Sequence, residues 1–238
     1  MLSRAPSMLA VAVFVPLLGS SACDDEIARL PSPVEWYEVT TPIGVIDVAV
    51  VPPSEPGKIS HPVLLALPWG SGTADLTDSF VRSYWAEAPA ARGYYVVAPA
   101  VYGPSLRDDA SDLLPALFDW IESTLGADTE SVALVGASNG GRGAFFAALS
   151  DPSRFDAMLV LPGQYSGDAA DLAPLAGMPI RMIVGEFDTT WVDATRATQD
   201  ALESVGIVPL VDIAGAQGHV MNLLSEGLVS WIDGALER

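Results

Sequence analysis

The feature that most constrains this chain is one junction. The uninterrupted apolar run Val132-Ala133-Leu134-Val135 passes straight into Gly136-Ala137-Ser138-Asn139-Gly140, and a segment of helical composition follows. A short apolar run bounded by glycine reads as a strand covered on both faces. For such a strand to enter a helix within a few residues the backbone must bend sharply, with the serine at the apex in a strained conformation. Side chains two positions before and after the apex would clash there, so glycine stands at both.

The rest of the chain repeats this strand-then-helix grammar. Val34 to Val39 and Gly44 to Val51 read as two strands, with a hairpin turn at Thr41-Pro42. A polar loop, Pro52 to His61, leads to the buried strand Val63 to Leu67. A helix is expected over Ser79 to Arg92, ended by Gly93, and then a strand over Tyr94 to Ala98. Asp112 is expected to cap a helix through Leu125, which places Pro115 in its first turn. After Ser138 come a helix to about Leu149, strands at Ala157–Leu161 and Ile180–Val184, and a helix over Thr190–Val205 stopped by Gly206. A strand at Val208–Ile213 and a helix over Met221–Leu236 close the pattern. The sum is an α/β architecture. It has a mostly parallel central sheet of about eight strands, helices on both faces and an antiparallel pair at one edge. Gly163 to Met178 is too short for a folded lid, so no cap domain is expected and the site should be open.

Residues 1–22 stand apart from that pattern. Arg4 is followed by the apolar run Met8 to Leu18 and then by small residues up to Ala22, the layout of a secretory signal peptide. Cys23, the only cysteine, falls at the expected cleavage point and resembles the lipidated first residue of bacterial lipoproteins. Ser20 departs from that motif, which favours a larger aliphatic residue there, so plain secretion is the competing expectation. Residues 23–33 read as a tether, and 34–238 as one domain, since a half-hydrophobic chain of 238 residues supplies a single sizeable core. An anchored protein would meet the membrane only through a lipid on Cys23, on the periplasmic side or at the cell surface.

The net charge of −19 repels phosphate backbones and argues against a nucleic-acid partner. One cysteine and two histidines leave no cysteine- or histidine-based metal cluster, and no metal or organic cofactor is expected. Oligomeric state is not legible.

A serine hydroxyl becomes a nucleophile only beside a base, and the base needs an acid to hold its tautomer. With a serine on a strand-to-helix bend, the chain order is serine, acid, histidine. His219 is the one histidine after Ser138 and lies in the small-residue loop after the last strand; His61 precedes the nucleophile and is expected to be structural or solvent-facing. Glu186, Asp188 and Asp193 follow the strand Ile180–Val184. Asp188 is the first choice for the acid, being far enough past the strand to turn back; its alternative role is to cap the next helix. An oxyanion needs two fixed N–H donors, each worth roughly 3 kcal/mol. Asn139 offers one at a helix start. The loop Pro68-Trp69-Gly70-Ser71-Gly72 offers the other, from Gly70 or Trp69, with Gly70 preferred. Arg142, on the helix after the serine, is expected to form a surface salt bridge rather than to meet an anionic substrate. Trp69, Tyr102, Tyr165, Trp191 and Met221 are candidates to line an apolar pocket.

From Val34 onward the chain resembles the α/β-hydrolase superfamily. The segments that carry the resemblance are 63–75, 84–99, 134–163, 181–194 and 215–222. Within it the chain is similar to compact lidless esterases related to carboxylesterases, dienelactone hydrolases and polyhydroxyalkanoate depolymerase-like proteins. The resemblance implies a Ser138–Asp188–His219 triad and hydrolysis of a small-molecule or polymeric carboxylic ester through an acyl-enzyme. Ser138-Asn139-Gly140-Gly141 also looks like the serine motif of prolyl-oligopeptidase-type peptidases, which makes peptide cleavage one alternative. A non-catalytic tethered binding protein on the same fold is another. Pro68-Trp69 stands where such esterases commonly carry His-Gly.

Overall fold

The computed structural model describes residues 33–55 and 60–237. The expected signal peptide, Cys23 and the tether up to residue 32 lie outside the described residues.

Eight strands form one sheet: β1 (Glu35–Thr41), β2 (Gly44–Val51), β3 (Pro62–Leu67), β4 (Tyr95–Pro99), β5 (Asp128–Gly136), β6 (Ala157–Val160), β7 (Ile180–Gly185) and β8 (Leu210–Ala214). Their spatial order is β1-β2-β4-β3-β5-β6-β7-β8. β1 and β2 are antiparallel to each other, β2 is antiparallel to β4, and every other pair is parallel. The helices are α1 (Ala74–Tyr84), α2 (Ala88–Ala91), α3 (Leu106–Trp120), α4 (Asn139–Ser150), α5 (Thr189–Ser204) and α6 (Ser225–Leu236).

Alternation along the central strands builds two cores. Val63, Leu65 and Leu67 of β3 face one layer with α3 and α4; Leu64 and Ala66 face the other with α1, α2 and α6. A strand covered on both faces has no use for polar residues, which is why these runs are continuously apolar. The small residues Ala144, Ala147 and Ala148 are fully buried and let α4 lie close to the sheet. Gly163 to Met178 carries a short 3-10 helix, Ala169–Leu175, whose Leu172 and Leu175 are buried in the α4-side core.

Three expectations need correction. The single helix over Ser79–Arg92 is two helices: α1 starts earlier, at Ala74, and ends at Tyr84, and α2 restarts at Ala88. Pro89 explains the break. It has no N–H and its ring would clash with the preceding turn, so it sits in the first turn of a new helix. The helix expected from Asp112 begins at Leu106, which puts Pro115 inside it. Pro115 and Ser111, whose carbonyl loses its partner, both lie on the exposed side, where water satisfies the freed oxygen. The last helix begins at Ser225, not Met221. Met221 is instead buried, and its carbonyl accepts the Tyr84 hydroxyl at 2.5 Å.

Parallel register then gathers four loops at one edge. Leu67 pairs with Gly136, Gly136 with Val160, and Gly185 with Ala214. The chain therefore leaves β3, β5, β7 and β8 at the same end of the sheet, where open parallel sheets place their sites.

Candidate active site

Ser138 sits at φ 56°, ψ −114°, outside the regions open to ordinary L-residues, between the end of β5 and the start of α4. A Cβ added at Gly136 would lie 2.4 Å from the Gly140 carbonyl oxygen, and one at Gly140 would lie 2.0 Å from that of Leu67. The bend thus tolerates only glycine at both flanks. It is fixed by backbone bonds from Ser138 N to Pro162 O (2.8 Å) and Gly140 N to Ala137 O (2.8 Å).

Three side chains from separate loops meet there. The Ser138 hydroxyl donates to His219 Nε2 at 2.9 Å, and His219 Nδ1 donates to Asp188 Oδ2 at 2.5 Å. Asp188 occupies the N-cap position of α5 yet makes no cap hydrogen bond. Its carboxylate serves the imidazole instead. Glu186 holds the histidine loop by accepting from Ala216 N at 2.8 Å, and Asp193 is exposed on α5. Gln217 ties the same loop on both sides, its carbonyl accepting from Phe187 N (2.9 Å) and its side chain from Asn222 N (3.0 Å). His61 is buried, with Nδ1 donating to Gly93 O at 2.8 Å, and is structural.

Among the described residues the backbone N–H groups of Trp69, Gly70 and Asn139 have no acceptor, which leaves all three open to an oxyanion. Asn139 contributes more than its backbone. Its Nδ2 donates to Gly70 O at 2.9 Å and so ties the bend to the β3–α1 loop. Gly70 itself is at φ 64°. From behind, Trp69 packs edge-on against Phe80 (5.3 Å) and Tyr84 (6.0 Å), which anchors that loop to α1.

A cavity of about 220 Å³ opens beside Ser138, lined by Trp69, Gly70, Tyr84, Ala137, Leu161, His219 and Val220. Of the five candidate lining residues only Trp69 belongs to it. Tyr102 is exposed, Met221 is buried, Tyr165 lines a separate cleft with Phe146 and Arg107, and Trp191 packs on the His219 ring at 5.4 Å. Tyr84, Leu161 and Val220 were missed because they belong to a helix face, a strand end and a loop that only folding brings together. Their apolar character gave no separate signal.

The expected salt bridge of Arg142 is absent: among the described residues no carboxylate lies within ion-pair distance of it. It donates instead to the Asn139 and Gln164 side-chain oxygens and stacks on Trp191. Among the described residues no cluster of three or more His, Cys, Asp or Glu is arranged to hold a metal ion.

An eight-stranded, mostly parallel sheet with an alcohol, an imidazole and a carboxylate in line at its carboxyl edge defines an α/β-hydrolase. More narrowly, the chain belongs to the esterase family described as "Putative esterase", whose model matches residues 72–204, a span that includes Ser138 and Asp188 and ends before His219. No curated protein matches the sequence significantly. Among solved structures, the chain is similar to a thermostable esterase at 18% identity and TM-score 0.62, covering 85% of this chain and 60% of that one. MPT51 of Mycobacterium tuberculosis is similar at 16% identity and TM-score 0.65, covering 87% of this chain and 98% of that one. Dipeptidyl peptidase 4 of Porphyromonas gingivalis is similar at 16% identity and TM-score 0.65, covering 88% of this chain but only 36% of the peptidase. The chain thus spans less than two thirds of two of these three, and at such identities the likeness is one of fold.

Proposed function

We propose that this chain is a serine esterase acting through an acyl-enzyme. The observation that carries the reading is the continuous line Ser138 Oγ, His219 Nε2, His219 Nδ1, Asp188 Oδ2, with contacts of 2.9 and 2.5 Å. Ser138 attacks the ester carbonyl while His219 takes its proton, and Asp188 stabilises the imidazolium. The N–H groups of Asn139 and of Gly70, with Trp69 as the alternative, receive the oxyanion. The alcohol leaves with the proton from His219. Water, deprotonated by the same ring, then releases the acid.

A fluorophosphonate probe should label wild-type protein at Ser138 and not Ser138→Ala, and p-nitrophenyl acetate should be turned over by the first only. Folded wild type that neither labels nor hydrolyses ends the proposal. Similarity to dipeptidyl peptidase 4 and to acylaminoacyl peptidases gives a second reading, cleavage of peptide bonds. Aminoacyl p-nitroanilides cleaved faster than esters of the same acyl group would favour it.

The proposal extends to location. Residues 1–22 direct export and Cys23 carries a lipid. Labelling with a fatty-acid analogue that persists in Cys23→Ser would refute the anchor.

A further inference from the structure

Among the described residues Arg142 has no carboxylate partner, in a protein of net charge −19. Arg82, Arg92, Arg154 and Arg181 each pair with a carboxylate. Among the described residues Arg107, Arg142 and Arg196 do not; Arg107 and Arg196 are exposed to water, whereas Arg142 is half-buried. Its Nη1 and Nη2 donate to two neutral amides, Asn139 Oδ1 at 3.2 Å and Gln164 Oε1 at 3.4 Å. Its Nε is buried with no acceptor. One face of the guanidinium is covered by the Trp191 ring at 4.8 Å, and Trp191 packs in turn on His219. A guanidinium nitrogen buried without an acceptor is costly, and an anion at the fork would offset that cost. The guanidinium fork is the side chain best matched to a carboxylate. The apolar cavity beside Ser138 does not include Arg142. Trp191 nevertheless joins the two features, since it stacks under Arg142 and packs on the His219 ring that lines the cavity.

We infer that Arg142 recognises a carboxylate on the substrate, so that the favoured ester carries a free acid on one arm and an apolar group on the other. The inference rests on the esterase reading and names its substrate class. The amide partners hold the fork in place, and Trp191 fixes its distance from the imidazole. Hydrolysis itself proceeds as described above.

The test compares anionic esters with neutral partners of the same shape. p-Nitrophenyl hemiglutarate against p-nitrophenyl valerate carries the acid on the acyl arm. The butyrate ester of 4-hydroxybutyrate against that of pentanol carries it on the alcohol arm. For at least one pair, wild type should favour the anionic ester about tenfold or more in kcat/KM. Arg142→Met should bring that ratio to near one, and Arg142→Lys should keep part of it. Arg82→Gln, which removes an equal charge from exposed α1, should leave it unchanged. The ratio is the readout because Arg142 also holds Asn139, and absolute rates shift with that contact. Calorimetry on Ser138→Ala with monomethyl glutarate and methyl valerate gives a measure independent of turnover. Tighter binding of the anion that is lost in Ser138→Ala/Arg142→Met supports the site even if wild type hydrolyses nothing, in which case the esterase reading falls alone. No anionic preference in either ester pair together with equal binding of both ligands, or a preference that survives Arg142→Met, overturns the inference while hydrolysis of neutral esters leaves the esterase reading standing.

Discussion

Replacing Asp188 tests whether the three aligned side chains act as a unit. Asp188 Oδ2 lies 2.5 Å from His219 Nδ1, and the two side chains are 14% and 41% exposed. In the proposed mechanism His219 takes the serine proton, and a positive charge then forms about 4 Å from the centre of the carboxylate, worth roughly 4 kcal/mol at an effective dielectric of about 20. Water on the open side of the ring screens part of this, leaving about 2–4 kcal/mol. Asp188→Ala should therefore lower kcat roughly 30- to 1,000-fold. Asp188→Asn should cost more, on the order of 10⁴-fold, when its amide N–H turns toward Nδ1 and forces the proton onto Nε2, where it blocks the serine. The assay is p-nitrophenyl ester hydrolysis, with circular dichroism and thermal melts to show both variants folded. Glu186→Gln, which alters only the tie to Ala216 N, should lose far less. Folded Asp188→Ala retaining a third or more of wild-type kcat, or Glu186→Gln falling below it, would refute the reasoning.

Asn139→Ala keeps the backbone N–H but deletes the tie to Gly70 O. kcat should fall about 10- to 100-fold as the second donor loses its position, and a urea melt should register about 1 kcal/mol for the lost bond. Gly140→Ala drives a methyl into the Leu67 carbonyl; soluble protein, if recovered, should be destabilised by about 3 kcal/mol or more, read from the urea midpoint. Burial, reinforced by a hydrogen bond to Asp171, pushes the Tyr165 hydroxyl up to about 12. Burial and Asp233 likewise raise that of Tyr94. The folded state holds these protons more tightly than the unfolded state does. Their contribution is therefore complete below pH 10 and is lost as the pH climbs from 10 through about 12. Urea midpoints measured from pH 8 to 12 should decline in that window, and Tyr94→Phe should flatten the decline.

Where the sequence was easy to read, the signal was local and the outcome was imposed by sterics. Gly136 and Gly140 mark the bend because no larger residue fits, and the chain holds a single histidine after Ser138, His219. The sheet was legible because β3 and the second half of β5, Val132 to Gly136, are buried on both faces and carry no polar residue. Errors came where two local signals competed. Asp112 looked like a cap, but Leu106 and Ala110 extend the apolar face beyond it and bury α3 from further upstream. Pro115 could be inside the helix because that side faces water. The last helix was expected from Met221, yet Tyr84 draws Met221 into the core as loop, and Leu224 is left exposed.

The strand-and-helix order, the serine bend and the one histidine that follows it were set by the chain itself, because periodicity, glycine sterics and position along the backbone act over a few residues. Tertiary structure alone decided which acid reaches the imidazole, that Asn139 bridges to Gly70, that Tyr84 walls the cavity, and that Arg142 finds aromatic and amide neighbours in place of a carboxylate. These contacts join segments that are distant in the chain. Their geometry is fixed by how helices seat on a twisted sheet, and no local pattern encodes that seating.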